Sequence, residues 1–148
     1  MIVYVGHFFT WTFLLYWVHR ISHIVPIMKQ IHWGHHQYVI EGQPKWMWQN
    51  IFLYSDDWIG TADLFMTEVI PTLIFCYFTG QWWIFAVYYI WTAFIQEWVE
   101  HNPKFNVWPF SAGQCHLTHH TNWRTNYSIF FPLWDIIFKT YTPVRSKQ

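Results

Sequence analysis

Residues 62–99 read ADLFMTEVIPTLIFCYFTGQWWIFAVYYIWTAFIQEWV, and this stretch decides the fold. Two apolar runs, 62–78 and 82–99, are parted by Thr79-Gly80-Gln81, a break short enough for a helical hairpin. Each run has 17 or 18 residues, at the short end of the roughly 17–25 that let a helix cross a bilayer. Glu68 and Pro71 interrupt the first run, and a carboxylate at that depth is costly unless paired. A third apolar run, 2–18, carries no charged residue, His7 apart. The pattern predicts an all-α integral membrane protein with about three transmembrane helices, at about 2–18, 62–78 and 82–99.

Composition points the same way. Hydrophobic residues make up 53% of the 148-residue chain and charged ones 11%, against roughly 25% charged in a soluble domain. With 13 Trp, 9 Tyr and 14 Phe, a soluble fold of this size would expose many rings; lipid-facing helices and bilayer interfaces accommodate them. The length suits one domain over 1–148, without internal repeat or linker. Formal net charge is zero, with no basic run and no zinc-finger or nucleotide-binding motif, which excludes nucleic acid as a partner. Cys76 and Cys115 lie far apart and form no CxxC, so free thiols in a reducing compartment are expected.

The cations give the orientation. They are Arg20, Lys29, Lys45, Lys104, Arg124, Lys139, Arg145 and Lys147. None precedes the first apolar run and none lies at the hairpin tip. Cytoplasmic loops carry the excess of Lys and Arg, so residues 19–60 and 100–148 are expected on the cytoplasmic side and the N-terminus on the opposite one. A signal peptide does not suit residues 1–18, which lack a basic start and a small-residue cleavage site. The same topology gathers every histidine except His7 on one side, as a cytosolic histidine-rich helical cap.

Those histidines form motifs. His19 and His23 make an HxxxH, and positions i and i+4 share one face of a helix. His32, His35 and His36 make an HxxHH; His116, His119 and His120 make another. In each HxxHH the first histidine shares a face with both of the last two. The adjacent pair points in different directions, so that one motif can serve two metals. His101, just past the third apolar run, is a further candidate ligand. His7 lies about 18 Å from His19 along a helix and reads as a packing histidine. Neutral imidazole suits zinc, copper, iron and nickel. Nine imidazoles exceed the four ligands of a structural zinc and predict two metal ions, iron or zinc. HExxH is absent, and Glu97 and Glu100 do not form the ExxH of soluble di-iron bundles.

HxxxH, then HxxHH, a lone histidine and HxxHH again, in that order, resembles the membrane fatty acid hydroxylase and sterol desaturase superfamily. Asn126-Tyr127, followed by Pro132-Leu133-Trp134-Asp135-Ile136-Ile137-Phe138-Lys139-Thr140-Tyr141, looks like that superfamily's closing signature. The resemblance covers roughly residues 15–142. It implies two irons bound by His19, His23, His32, His35, His36, His101, His116, His119 and His120, above a channel for an acyl or sterol chain. It also implies O₂ as oxidant and electrons from a reductase chain. This chain departs from the pattern in three places. Phe105 stands where some hydroxylases have a second histidine after the lone one, with Asn102 as a water-mediated substitute, and Ser128 and Lys139 replace signature glycines.

The implied activity is hydroxylation or desaturation of a lipid such as a fatty acyl chain or a sterol. Electrons are expected from an external haem or iron–sulfur carrier with its reductase. A bundle of about three crossings would be completed alone or by a homo-oligomer. The alternatives are oxidation of a carotenoid, aldehyde or ether lipid on the same scaffold, and a non-catalytic or zinc-loaded metal-binding membrane protein. Carboxylates able to orient imidazole N–H groups are Glu41, Asp56, Asp57, Asp135 and, foremost, Glu97 and Glu100. Asp135 is equally placed to cap a helix starting near Pro132. Trp33, Trp98, Trp123 and Trp134 are candidates to line the substrate path.

Overall fold

The first apolar run forms α1 (Ile2–Ser22), which continues one turn past the run. Its buried residues Trp11, Leu15, Tyr16, His19 and Ser22 fall on one stripe at helical spacing. The helix that packs the core thus carries a histidine at its end. α1 stops where the Ser22 hydroxyl donates to the His19 carbonyl at 2.6 Å. Pro26, which has no N–H to leave unpaired, opens α2 (Pro26–Glu41). The computed structural model describes residues 2–41, 46–55 and 57–143, and among them every regular element is helical.

After a 3₁₀ turn at Trp48–Phe52, α3 (Trp58–Thr79) begins at Asp57, whose Oδ1 accepts the Gly60 N–H at 2.7 Å. Within it Phe65–Val69 is a π-helical turn. It lies immediately ahead of Pro71, where the wider turn takes up the missing N–H and the ring's bulk. α3 ends at Gly80, whose φ of 69° is left-handed and free of cost only for glycine. The chain therefore turns at 79–81, as the spacing predicts. α4 follows over 82–99, with its own π turn at Thr92–Gln96. Gln96 Nε2 donates to Glu68 Oε1 at 3.4 Å, so one oxygen of the carboxylate in the apolar helix has a donor from α4.

The core lies between α1, α3, α4 and the segment 128–131. Trp11, Leu15, Val69, Cys76, Ile84, Tyr88 and Phe130 are buried together there. The Trp11 indole donates to Thr72 Oγ1 at 2.9 Å, fastening α1 to α3. By length and composition one helix among the described residues, α3, suffices to cross a membrane, with 22 residues and a mean hydropathy of 1.4. α1 and α4 are unbroken helices over the other two apolar runs.

Beyond α4 a loop leads to α5 (Gln114–Thr121). Gly113, at φ 70°, donates to the Glu100 carbonyl at 2.8 Å, and the next N–H, Gln114, reaches the Phe105 carbonyl at 2.9 Å. α6 (Leu133–Ile137) starts directly after Pro132, but Asp135 is not its cap. Fully buried, the Asp135 carboxylate accepts the N–H groups of Tyr127 and Ser128, both at 2.8 Å, and the Thr140 hydroxyl at 2.7 Å. It ties the tail to the turn at 126–128 and orients no imidazole directly.

Candidate metal centre

Two groups of histidines converge between α1, α2, α5 and the end of α4. His19, His23, His32, His36 and His119 form the first, and His35, His101, His116 and His120 the second. Within each group the ligand nitrogens all lie within 4.8 Å of one another. The adjacent pairs His35–His36 and His119–His120 divide between the groups, because successive residues on a helix point about 100° apart. α2 and α5 therefore serve both groups. α1 and the turn after it serve only the first, and His101 only the second. All nine sequence candidates are brought together. His7 is elsewhere, its Nδ1 donating to the Val3 carbonyl at 2.8 Å.

In the first group the Nε2 atoms face one another. His19 Nε2 is 3.2 Å from that of His32 and 3.0 Å from that of His119. His23 Nε2 lies 3.1 Å from both His32 and His119, and His36 3.1 Å from His32. In the second, His120 Nε2 is 2.9 Å from His116 and 3.2 Å from His101. Metal–imidazole bonds of about 2.1 Å at right angles set neighbouring donors about 3.0 Å apart; tetrahedral bonds set them about 3.4 Å apart. The spacing and the five donors of the first group fit a cation with right-angle coordination.

The opposite ring nitrogens explain the aim. His32 Nδ1 faces Asp63 Oδ1 at 2.9 Å. His19 Nδ1 donates to the Tyr127 carbonyl and His119 Nδ1 to the Thr125 carbonyl, each at 2.7 Å. An Nδ1–H fixed in this way leaves the Nε2 lone pair as the inward donor. Asp135, by holding the Tyr127 turn, sets the acceptor that His19 uses. Burial pushes the histidines toward the neutral form that binds metal. His23 falls to about 2, with His19, His32 and Lys29 adding to the effect. His35, His36, His101, His116, His119 and His120 all fall below the usual 6.5, with burial the main cause.

The other sequence candidates have these places. Glu100 Oε1 is 3.8 Å from His116 Nε2, while its Oε2 accepts from Gln96 at 2.7 Å. Glu97 accepts from the Ser55 hydroxyl at 3.5 Å. Asn102 is engaged with backbone, donating to the Trp98 carbonyl at 3.1 Å and accepting the Lys104 N–H at 2.9 Å. Asp57 caps α3. Asp56 and the Glu41 side chain lie outside the described residues. Trp33 and Trp123 flank the first group, Trp98 stacks on Trp46, and Trp134 donates to Thr12. Both cysteines are free and buried, and burial pushes the Cys115 thiol up to about 12.

Sequence reasoning missed Asp63. It sits in the same apolar run as Glu68, and the cost of a buried carboxylate there is a signal of a partner. On the α3–α4 side of the histidines, Asp63, Glu68, Thr92 and Gln96 border a cavity of about 40 Å³. That is room for a few waters.

A family model described as fatty acid hydroxylase matches residues 4–140. The chain belongs to the fatty acid hydroxylase family. Within 87% of its length this fatty acid hydroxylase family chain is 28% identical to a Delta(7)-sterol 5(6)-desaturase of Aspergillus fumigatus, over 34% of that protein. A Delta(7)-sterol 5(6)-desaturase of Leptosphaeria maculans is also 28% identical, over 86% of this chain and 33% of its own. The very-long-chain aldehyde decarbonylase CER1 of Arabidopsis thaliana is 31% identical over 86% of this chain and 21% of its own. The chain thus spans about a third of the desaturases' length and a fifth of the decarbonylase's. No solved structure gives a significant match.

Proposed function

We propose that the protein is a membrane oxidoreductase that holds two iron ions and uses O₂ to hydroxylate or desaturate a lipid, such as a fatty acyl chain or a sterol. The observation that carries this reading is the division of the adjacent histidine pairs between two groups of inward-facing donors. His19, His23, His32, His36 and His119 hold one ion; His35, His101, His116 and His120 hold the other. Five donors exceed the four that zinc takes in structural sites, which favours iron in the first group. Bound iron supplies the O₂-derived oxidant that breaks an alkyl C–H bond, which no side chain can supply.

The chain's own residues do the rest. Asp63 and the carbonyls of Tyr127 and Thr125 hold His32, His19 and His119 in one tautomer and one orientation. Glu100 and Gln96 keep a polar border beside the second group. Burial of the ring nitrogens excludes bulk water, so that the oxidant meets lipid rather than solvent.

We further propose a single domain of three crossings at α1, α3 and α4. About 31 Å of helix in α1 and about 27 Å in α4 match the hydrocarbon thickness of a bilayer. All three helices present exposed apolar side chains, among them Phe9 and Phe13, Ile70 and Ile74, and Val87 and Ile90. The distribution of the cations supports a metal site on the cytoplasmic face with the N-terminus opposite. Electrons come from an external haem or iron–sulfur carrier. The likeness to an aldehyde decarbonylase supports one second reading, oxidation of a long-chain aldehyde at the same site.

Untargeted lipid mass spectrometry under ¹⁸O₂ tests the proposal in cells expressing the wild type or His119→Ala. A lipid that gains one labelled oxygen only with the wild type establishes hydroxylation. Loss of two hydrogens without label establishes desaturation. Conversion of a long-chain aldehyde to the acid of the same length, or to a hydrocarbon one carbon shorter, establishes the second reading. No difference with an electron donor present, and no iron in the purified protein, overturns all three.

A further inference from the structure

Both π-helical turns border one polar cavity. Phe65–Val69 of α3 supplies Thr67 and Glu68 to its wall, and Thr92–Gln96 of α4 supplies both of its end residues. The first turn precedes Pro71, but the second has no proline after it until Pro103. π turns recur at functional sites. Here the pair brings a carboxyl, an amide and two hydroxyls together between two largely apolar helices. The wall runs from half-buried Tyr54 and Glu97 to His101 and His116 of the second group.

Glu68 is only 7% exposed, and its Oε2 accepts no hydrogen bond from the protein. Gln96 Nε2 donates both to Glu68 Oε1 at 3.4 Å and to Glu100 Oε2 at 2.7 Å, so one amide spans two carboxyls. Glu100 Oε1 is in turn 3.8 Å from His116 Nε2. The polar line from Glu68 thus ends at the second histidine group. The titratable groups around Glu68 are Asp63 on its own helix, Tyr88, Glu97 and Glu100 on α4, and the histidines. No Lys or Arg lines the cavity. An ionisable residue within a membrane helix marks a path for ions or protons. Among the described residues, no three of these carboxyls converge within 4.8 Å as the histidine donors do, which favours protons over a further metal ion.

We infer that Glu68 carries protons inward, taking them from the Glu97 side and passing them through cavity water, beside Glu100, to the oxygen reduced at the histidine groups. The inference rests on the proposed function in taking O₂ to be reduced there. Hydroxylation of R–H consumes O₂, two electrons and two protons, and yields R–OH and one water. Desaturation consumes the same and yields two waters. The carrier supplies the electrons, but the protons must enter a site from which burial excludes bulk water. Gln96 has no acidic proton to give; it fixes Glu68 and Glu100 while water spans the gap. After each transfer Glu68 regains a proton from the solvent side and is left unchanged.

The test uses full-length protein in nanodiscs of neutral lipid. In the metal-free form, infrared spectra in H₂O and D₂O read the carboxyls directly. The wild type should show a carboxylic-acid carbonyl band that shifts on exchange into D₂O, and Glu68→Gln should remove it. In the iron-loaded form, reduced with dithionite and desalted, O₂ is the probe and stopped-flow absorbance follows its reaction. Glu68→Gln, of equal size, should slow that reaction about 100-fold while two iron ions per chain and the circular dichroism stay as in the wild type. Glu68→Asp should move the band and restore most of the rate, so the reading does not depend on one variant's folding. The inference is overturned if the wild type lacks the band, if Glu68→Gln retains it, or if Glu68→Gln reacts with O₂ at the wild-type rate. It is equally overturned if Glu68→Gln loses the two irons, which makes Glu68 a structural support, or loses a third metal ion that the wild type holds. An iron-loaded wild type that does not react with O₂ overturns the proposed function instead, and the metal-free spectra still decide whether Glu68 exchanges protons.

Discussion

Asp63 Oδ1 meets His32 Nδ1 at 2.9 Å, across thirty-one residues of chain and with both groups buried. His32 in turn has Nε2 contacts at 3.1–3.2 Å with His19, His23 and His36, so one carboxylate positions the histidine nearest the middle of the first group. Asp63→Asn keeps the size of the side chain but loses the charge. It should weaken metal binding at this group by about 10–100-fold while helix content stays as in the wild type. Metal titration with circular dichroism reads both. Unchanged affinity would show that the packing of α2 alone fixes His32.

The two groups should empty separately. His36→Ala and His119→Ala each remove a donor from the first group, and His116→Ala removes one from the second. Purified protein should then hold about one metal ion per chain rather than two, and His7→Ala should keep two. Elemental analysis against protein concentration decides. Loss of both ions from every ligand variant would mean that the groups load as one unit.

Acid should unfold the metal-free protein. Burial holds the clustered histidines below their usual 6.5, His23 at about 2. A lowered folded value means that the unfolded chain binds more protons between the two. Stability is then fully present above pH 6.5 and falls as pH drops below it, by about 1.4 kcal/mol per pH unit for each histidine held neutral. The thermal midpoint of the apo-protein should decline steeply from pH 6.5 to 5. A flat profile would show that the rings protonate within the fold.

Two backbone positions should respond in opposite directions. A Cβ on Gly113 would overlap the Phe105 carbonyl, and the residue's φ is 70°. Gly113→Ala should therefore cost about 3 kcal/mol or more, with a lowered thermal midpoint. Lys139 holds a left-handed φ of 58° at a place where the superfamily signature has glycine. Lys139→Gly should stabilise by about 0.5–1 kcal/mol. A neutral result at Lys139 would mean that the flexibility gained by the unfolded chain offsets the relief.

The histidines were legible because spacing on a helix fixes direction. The separation of His35 from His36 follows from the rotation between successive residues, and so does that of His119 from His120. The turn at Gly80 and the start of α6 after Pro132 were legible from residue type. What supports the histidines was not. Asp63 reads as one polar residue in an apolar run until the fold brings it to His32. The carbonyls of Tyr127 and Thr125 have no side-chain signature, and the π turns at Phe65–Val69 and Thr92–Gln96 leave no mark in the hydrophobic pattern. Asp135 carries a capping residue's identity but serves Tyr127 and Ser128.

His19 and His119 touch at 3.0 Å with a hundred residues between them. Neither group can close before α5 has been synthesised, because α5 supplies His116, His119 and His120. During translation the earlier histidines must wait for α5 to leave the ribosome. Metal delivery is thereby a late event in biogenesis. A ribosome stalled short of residue 116 should present a chain that retains no metal at either group.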